Sequence, residues 1–334
     1  MSKENANAVG VVGAGGFGTA ISELAASRGR SVIVWSASSE VVDSINNNRE
    51  NRRSLPGVKL HEGIRATSSA ADLAESCRLL IAAVPSTEVA TRLAVVGREL
   101  SGRHILVHAV GALAVDDGKR ISEVIGEKTP VRRIGALAGP ALPGDLVGDQ
   151  VSSMVVASRF DEVTKEVQRL IAHPPKLRVY RSSDLIGVEL ASILASAYTL
   201  AIGMASALDV GAGTHAVLVT RIVAEASRLL KAAGAEERTF AGLSGLGNLL
   251  VRSARADLDP TPSIRYGRSL VDAKKYARPE REPEGVRAAK AGVNLSNKWR
   301  IRVPVLEAIA SVLDGGLDPE KAAALIAHSV PEQE

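Results

Sequence analysis

Short apolar runs alternate with amphipathic stretches through the first half of the chain. Apolar runs separated by helical patterns are typical of parallel strands joined by crossover helices. The pattern predicts strands at residues 8–12, 31–35, 78–84, 105–110, 132–138 and 153–157. It also predicts helices at residues 19–27 and 87–100. The first half is therefore expected to form a parallel sheet.

The pattern changes near residue 180 and is helical from there onwards. Helices are predicted at residues 184–207, 214–233, 243–254, 284–292, 304–313 and 319–328. The expected fold class is α/β, with a parallel-sheet domain over residues 1–182 followed by an all-α domain over residues 183–334. A chain of 334 residues is long enough to bury two such cores.

The stretch 185–208 carries a single charged residue, Glu189. Its length would suffice to cross a bilayer. However, it is rich in Ala, Ser and Gly, and it lacks flanking basic anchors and an aromatic belt. A helix that is apolar all round is also typical of the centre of an all-α domain, and we expect a buried helix here.

Composition and charge exclude several classes of protein. The net charge of +4 is too small to indicate a nucleic-acid partner, and the basic run at residues 49–53 has no interleaved aromatics. That run is more typical of a solvated loop than of a phosphate contact.

Cys77 is the only cysteine, which excludes an intrachain disulfide, and its apolar neighbours predict burial. Because the first residues are polar and lead directly into a strand, we expect no secretion signal and a cytoplasmic location.

A glycine pattern follows the first predicted strand. Gly13, Gly15 and Gly18 are spaced as Gly-x-Gly-x-x-Gly and open a helix, which is the context of a dinucleotide-binding loop in a Rossmann-type domain. Gly13 permits the tight turn, Gly15 lets the backbone approach a pyrophosphate, and Gly18 lets helix and strand pack closely. The phosphates would then lie at a helix N-terminus, which favours anions. The alternative is a glycine-rich turn without a ligand.

The sequence leaves the cofactor open between NAD and NADP. An acidic residue about twenty positions after the loop would hold the ribose hydroxyls and repel a 2′-phosphate. The second predicted strand instead ends at Trp35 and Ser36, and Ala37, Ser38 and Ser39 follow. Neither an acid nor an arginine stands there, so neither cofactor is excluded.

Several further stretches, spread over almost the whole chain, point to one family. They are GAGGFGTA (13–20), INNNRENRRSLPGVKL (45–60), AVPS (83–86), AGP (138–140), SDLIGVEL (183–190), TR (220–221), GLSGLGN (242–248), EGV (284–286) and RVPV (302–305). In these stretches the chain resembles bacterial NAD(P)-dependent glycerol-3-phosphate dehydrogenase. The resemblance implies a Rossmann-type domain followed by an all-helical substrate domain, with the active site in the cleft between them.

The resemblance also implies site residues. The cofactor-binding residues expected are Gly13, Gly15, Gly16, Phe17, Gly18, Ser36, Pro85, Ser86 and Glu284, with NAD or NADP as the cofactor. Those expected in the substrate cleft are Gly139, Ala141, Asn248 and Ser263. A small-molecule substrate is the expected partner. No metal site, nucleic-acid surface or membrane span is expected, and a homodimer is left open.

The positions that carry out chemistry in the family are changed here. The family lysine that polarises the substrate carbonyl aligns with Ala195, and the asparagine after it aligns with Ser196. A second family lysine aligns with Val110. Reduction of a ketone by hydride needs a donor for the oxygen that gains charge, and neither Ala195 nor Val110 can donate. The chain is therefore identified as a divergent member that lacks the family's catalytic lysines.

The remaining changes concern the substrate. A serine, a lysine, an aspartate and a phosphate-binding Ser-Arg-Asn triplet of the family align, respectively, with Ala141, Gly144, Asn248 and Thr261-Pro262-Ser263. A phosphate that entered such a cleft would lose its hydration without gaining paired donors. We therefore expect a substrate that is less anionic than the family's.

Three residues are candidate substitutes. Tyr198 lies one helical turn after Ala195 and His108 lies at a strand end, so either could donate a proton. The alternatives are a packed tyrosine with a satisfied hydroxyl and a capped strand-end histidine. His215 could contact an anion or face solvent.

Three functions follow from these observations. The first is a divergent NAD(P)-dependent oxidoreductase that transfers hydride between the nicotinamide and a small carbonyl, alcohol or imine compound. The second is a pseudoenzyme that binds dinucleotide as a sensor or scaffold. The third is a working glycerol-3-phosphate dehydrogenase whose charged groups come from other positions.

Overall fold

The computed structural model describes residues 8–114, 118–148, 150–254, 256 and 260–328. The chain divides into two compact units. Unit 1 comprises Met1–Val110 and Ala114–Leu185, and unit 2 comprises Gly111–Leu113 and Ile186–Glu334. The main division therefore falls close to the boundary expected at 182/183. The sequence pattern gives no sign of the excursion at Gly111–Leu113.

Unit 1 is built on an eight-stranded sheet. The strands are β1 (Val9–Val12), β2 (Val32–Trp35), β3 (Glu50–Asn51), β4 (Leu55–Lys59), β5 (Ile64–Thr67), β6 (Leu79–Ala82), β7 (Ile105–His108), β8 (Arg133–Ala138), β9 (Ser152–Ser158) and β10 (Leu177–Ser182). The sheet order is β10-β9-β8-β7-β6-β1-β2-β5, and β3 pairs with β4 separately. Strands β1, β6 and β7 are buried at every position, as expected of central strands covered on both faces.

Two of the helices of unit 1 begin at a serine cap. The helices are α1 (Gly16–Ser27), α2 (Ser39–Asn48), α3 (Ala70–Ser76), α4 (Val89–Gly97), α5 (Ile121–Lys128), α6 (Pro143–Val147) and α7 (Asp161–Ile171). The hydroxyl of Ser38 accepts from the Val41 N–H and that of Ser69 from the Asp72 N–H. These side chains replace the missing hydrogen bonds of the first turns of α2 and α3.

One strand pair corrects the expectation of a wholly parallel sheet. Strand β9 runs antiparallel to β8, with Ala138 opposite Val155. The connection between them contains α6, a helix of five residues. Parallel strands are usually joined by a crossover helix that spans the sheet, and five helical residues are too few for one, so this connection returns the chain in the opposite direction.

Unit 2 is helical over its described residues. Its helices are α8 (Leu185–Ala207), α9 (Ala212–Ala232), α10 (Asn248–Ala254), α11 (Pro262–Val271), α12 (Glu284–Trp299), α13 (Pro304–Leu313) and α14 (Pro319–His328). A 3-10 turn at Glu237–Ala241 and a π-helical turn at Leu243–Gly247 lie between α9 and α10. The helix predicted at 243–254 is therefore a π-helical turn followed by α10.

Helix α8 is the buried centre of unit 2. Among the described helices it alone is long and apolar enough to cross a membrane, but 94% of its most apolar window is buried inside the protein. It approaches α11 so closely that a Cβ on Gly203 would overlap the carbonyl oxygen of Ile264. This burial agrees with the central helix expected from the sequence.

Cys77 is expected to resist alkylation in the folded protein. Its side chain is 2% exposed, and burial raises the pKa of its thiol to about 12. Because the thiolate is the nucleophile, iodoacetamide at pH 8 should label the thiol only after denaturation. Mass spectrometry of samples treated with and without urea measures this. Rapid labelling of the native protein would contradict the burial.

Candidate functional site

The glycine loop at residues 13–18 joins β1 to α1. Gly13 has a φ of +108°, and a Cβ there would lie 2.6 Å from the carbonyl oxygen of Ala83. A Cβ on Gly18 would overlap the carbonyl oxygen of Gly13. Both glycines are therefore required by the local geometry, one for a left-handed turn and one for the close approach of helix to loop.

Gly15 differs from its neighbours because its surroundings are open. It is the N-cap of α1, and the nearest atom to a Cβ built on it would be the Ala83 carbonyl oxygen at 3.9 Å. No acidic residue stands in the first turn of α1. An open helix N-terminus without a competing carboxylate suits a bound anion. The loop therefore fits the pyrophosphate of a dinucleotide.

Asn51 holds the glycine loop in place. Its Nδ2 donates to the carbonyl oxygen of Ala14 and to Oγ1 of Thr19, both at 2.8 Å. The side chain is 2% exposed, so these two bonds satisfy an amide that would otherwise be buried unpaired. Asn51 is not predicted from the sequence. It lies within the basic run 49–53, which is expected to be a solvated loop, and that expectation gives no sign of a buried asparagine.

The other residues expected to bind cofactor have these placements. Ser36 is buried after β2, and its Oγ accepts from the Ser38 N–H at 3.2 Å. Ser86 is 3% exposed and follows the exposed Pro85. Phe17 packs against the core of unit 1. Their roles as cofactor ligands remain predictions.

Unit 2 contains a buried polar group that we call the serine–arginine cluster: Ser192, Ser196, Asn248 and Arg252. Ser192 and Ser196 are four residues apart on α8, and Asn248 and Arg252 are four apart on α10, so each pair shares a helix face. Arg252 Nη1 donates to Ser196 Oγ at 3.1 Å, and Asn248 Nδ2 donates to Ser192 Oγ at 3.5 Å. These hydrogen bonds join the two helices through polar side chains.

Residues of two further helices adjoin this cluster. A Cβ on Gly285 would lie 2.6 Å from both the Ser196 carbonyl oxygen and Ser263 Oγ. Ser263 Oγ also accepts from the Gly285 N–H at 3.2 Å. Ser263 is on α11, and Gly285 follows Glu284 at the start of α12. Glu284, expected beside the cofactor, is therefore a residue of unit 2 close to the cluster.

Arg252 is the charged member of the cluster. Its Nε is buried and has no hydrogen-bond partner among the described residues. Burial lowers the pKa of Arg252, while the charge of Glu284 opposes that shift. Arg252 is not among the residues predicted from the sequence. Its spacing of four residues from Asn248, which places both on one helix face, is the sequence feature that could have indicated it.

The placement of Tyr198 does not support its prediction as a proton donor. Tyr198 is 0% exposed, and its hydroxyl donates to Oε1 of Glu225 at 2.9 Å. Its ring packs edge-to-face on Phe240, with centroids 6.0 Å apart. Burial, together with the Glu225 charge, raises the pKa of Tyr198 well above its ordinary value. The packed tyrosine with a satisfied hydroxyl is the alternative that matches the structure.

The two candidate histidines are in different units. His108 is 2% exposed at the end of β7, and its Nδ1 accepts from the Val110 N–H at 3.4 Å. This contact corresponds to the strand-end alternative. His215 is partly buried on α9, with Nε2 lying 3.3 Å from Ser253 Oγ.

The remaining predicted substrate positions in unit 1 lie after β8. Gly139 has a φ of +141°, and a Cβ there would lie 2.9 Å from the Cα of Met154. Ala141 is buried, and a Cβ on Gly144 would meet nothing within 4 Å. Among the described residues, no group of three or more His, Cys, Asp or Glu could hold a metal ion.

The comparisons with known proteins agree along the chain. Residues 8–164 match the family model for the N-terminus of NAD-dependent glycerol-3-phosphate dehydrogenase, and residues 184–324 match the model for its C-terminus. The glycerol-3-phosphate dehydrogenase [NAD(P)+] of Pseudomonas fluorescens is 32% identical over 97% of this chain and 91% of its own length. The chain belongs to the NAD-dependent glycerol-3-phosphate dehydrogenase family.

Other members of this family extend the likeness. The Thermobifida fusca glycerol-3-phosphate dehydrogenase is 31% identical over 94% of both chains. The crystal structure of the Coxiella burnetii glycerol-3-phosphate dehydrogenase superimposes with a TM-score of 0.86 at 25% identity, over 96% of this chain and 99% of that one. The expected fold class, a Rossmann-type sheet domain followed by a helical domain, is confirmed.

The two positions at which the resemblance predicts a replaced lysine are apolar and buried. Ala195 is 0% exposed in the apolar core of unit 2, and Val110 is 8% exposed. Pro262, expected at the position of a family arginine, is the exposed first residue of α11. Before it, Thr261 has a buried Oγ1 without a partner among the described residues.

Proposed function

We propose that this chain is an NAD(P)-dependent oxidoreductase that transfers hydride between the nicotinamide and a small carbonyl, alcohol or imine compound. The glycine loop carries this proposal, because Gly15 leaves the N-terminus of α1 open while Gly13 and Gly18 are fixed by geometry. Membership of a family whose relatives are NAD(P)+ dehydrogenases supports it.

In this proposal some residues bind the cofactor or the substrate, and others hold the glycine loop in position. When bound, the reduced nicotinamide supplies a hydride. The first N–H groups of α1 bind the pyrophosphate, and Asn51 keeps the loop in shape through Ala14 and Thr19. Ser192, Ser196 and Asn248 offer neutral hydrogen-bonding groups to a substrate, in place of the charged lysine and aspartate of the family.

Replacing Gly15 by valine is expected to weaken cofactor binding by about tenfold or more while leaving the fold intact. Its backbone is extended, with φ −74° and ψ 177°, and the surroundings are open, so valine is tolerated until a pyrophosphate approaches. Calorimetric titration with NADH and NADPH measures the change. Gly102→Val is the matched control, because a Cβ there meets nothing within 4 Å and Gly102 is not in the glycine loop. Equal affinities in both variants, or no heat with the wild type, would overturn the proposal.

A second candidate function is a pseudoenzyme that binds dinucleotide without turnover. The burial of Ala195 at the family lysine position favours it. Screening carbonyl and imine compounds with NADH and NADPH separates the two functions, since only an oxidoreductase consumes the reduced cofactor. A cytoplasmic location and a homodimeric assembly remain predictions from the sequence.

A further inference from the structure

Unit 2 has a basic pocket that contains no residue of the serine–arginine cluster. It lies between α11 and the loop that leads to α12, and its volume is about 620 Å³. Pockets that bind small molecules usually measure about 300–1,000 Å³. The described residues that line it include one carboxylate, that of Glu280, and five cations: Arg265, Arg268, Lys275, Arg278 and Arg281. We call this the α11 pocket.

The positive charge of the chain is concentrated in the α11 pocket. The whole sequence carries a net charge of +4, and five cations with one carboxylate give the pocket the same excess. Within the part of the chain that the structure describes, none of Arg265, Arg278 and Arg281 forms a salt bridge. Asp272, at the end of α11, is engaged with the backbone, because its Oδ1 accepts from two N–H groups of the next turn. A concave surface lined by charges of one sign attracts ions of the other sign.

Two tyrosines hold cations of the α11 pocket in place without neutralising them. The guanidinium of Arg278 lies 4.6 Å from the ring centroid of Tyr266, and that of Arg268 lies 5.5 Å from the centroid of Tyr276. Nη2 of Arg268 also donates to Ser206 Oγ at 2.6 Å. Because a cation–π contact orients a cation without adding an opposite formal charge, the positive charge remains available to an anion.

The ligand that matches this pocket carries several negative charges. One guanidinium can pair with two oxygens of a phosphate, so several arginines around one pocket match several phosphate groups. A single carboxylate or phosphate would engage only some of the five cations. A single-stranded nucleic acid matches less well, because its bases stack on open aromatic faces, whereas a cation already lies over the rings of Tyr266 and Tyr276.

We propose that the α11 pocket binds a linear polyphosphate, either free or as the phosphate chain of a nucleotide. The pocket is built from residues 260–281 of unit 2, whereas the glycine loop belongs to unit 1. Binding here needs neither the nicotinamide nor a hydride. The proposal is therefore independent of the proposed oxidoreductase function.

Calorimetric titration of the whole chain with sodium tripolyphosphate tests the proposal. Tripolyphosphate should bind about tenfold or more tightly than inorganic phosphate, and its affinity should fall as salt is added. ATP distinguishes the two sources: affinity equal to or below that of tripolyphosphate assigns the free chain, and higher affinity assigns a nucleotide. Absence of tripolyphosphate binding, equal binding of inorganic phosphate, or tighter binding of a uridine hexanucleotide than of tripolyphosphate would overturn the proposal.

A double variant locates the binding in the α11 pocket. Arg265→Gln with Arg281→Gln should weaken tripolyphosphate binding by about tenfold or more, and both side chains are exposed, so the fold should be kept. Arg238→Gln with Arg302→Gln is the matched control, because it removes the same charge from exposed arginines of unit 2 outside the pocket. At physiological ionic strength the control should change the affinity by less than about threefold. Equal losses in the two double variants would overturn the assignment. Arg281→Gln alone, with a smaller expected loss, replaces the double variant if that fails to fold.

The Gly15→Val variant separates the α11 pocket from the glycine loop. It should bind tripolyphosphate as the wild type does, even where its affinity for NADH and NADPH is lowered. Loss of tripolyphosphate binding in Gly15→Val would place the anion at the glycine loop and overturn the assignment to the α11 pocket. Failure of the wild type to bind NADH or NADPH, with tripolyphosphate binding intact, would contradict only the oxidoreductase proposal.

Discussion

Replacing Glu225 by alanine is expected to lower the free energy of unfolding by about 3–5 kcal/mol. Glu225 is 0% exposed on α9 and accepts three hydrogen bonds. They come from the Tyr198 hydroxyl at 2.9 Å and from the Val305 and Leu306 N–H groups at 2.8 and 3.0 Å. Because the two N–H groups open α13, the carboxylate joins three helices and replaces a missing cap.

Urea unfolding monitored by circular dichroism measures this loss. Glu237→Ala is the matched control, because Glu237 is an exposed glutamate of the same unit that pairs with Lys231. Its effect should stay within about 0.5 kcal/mol. A loss below about 1 kcal/mol on removing Glu225 would show that water or a rearranged α13 satisfies the three donors.

The same residue predicts a pH dependence of stability. Burial raises the pKa of Glu225 to about 7 from an ordinary value of 4.5. The folded state therefore holds the proton more tightly than the unfolded state. The resulting stabilisation is complete below pH 4.5 and is lost as pH rises through 7, by at most about 3 kcal/mol. Glu225→Gln cannot titrate, so its unfolding free energy should fall less over this range than that of the wild type; an equal fall would contradict the shifted pKa.

Reduction of dihydroxyacetone phosphate is expected to be slower by orders of magnitude than in a typical family member. Removing a proton donor or an oxyanion donor each costs about 10²–10⁴-fold in rate. Ala195 and Val110 are buried and have no donor, and Pro262 cannot bind phosphate. The serine–arginine cluster offers one guanidinium where the substrate carries nearly two charges.

Steady-state assays with NADH and NADPH measure this turnover. The Pseudomonas fluorescens relative, assayed in parallel, controls for substrate quality and conditions. Turnover above about 1 per second, near the low end for ordinary enzymes, would show that other side chains supply the charges. In that case the chain is a working glycerol-3-phosphate dehydrogenase.

The sequence predicts the centre of the sheet better than its edges. Strands β1, β6 and β7 are buried on both faces, so each appears as an unbroken apolar run. The edge strands β5 and β10 alternate between buried and exposed residues over IRAT and LRVYRS, and such short mixed patterns resemble loops. Helix α11 is missed for a related reason, since it begins at Pro262 directly after a proline-rich loop.

The residues of the candidate site also differ in how well the sequence predicts them. Gly13, Gly15 and Gly18 are predictable because each meets a local backbone requirement, and the spacing of the three glycines is enough to recognise it. Asn51 and Arg252 act across long sequence separations, on Thr19 and Ser196 respectively, and only the fold brings them to their partners. Spacing along the sequence therefore predicts the glycine loop, whereas the contacts of Asn51 and Arg252 are found only from the structure.

The excursion at Gly111–Leu113 has a consequence for how such a protein can change over time. The chain leaves unit 1 after Val110, contributes three residues to unit 2 and resumes unit 1 at Ala114. Ser196 donates to the Gly111 carbonyl oxygen, and Leu113 packs on the core of unit 2. A recombination event after Leu185 would import a helical unit and leave this small piece of it behind. Exchange of the helical unit at that point would therefore separate Gly111–Leu113 from the residues that they contact.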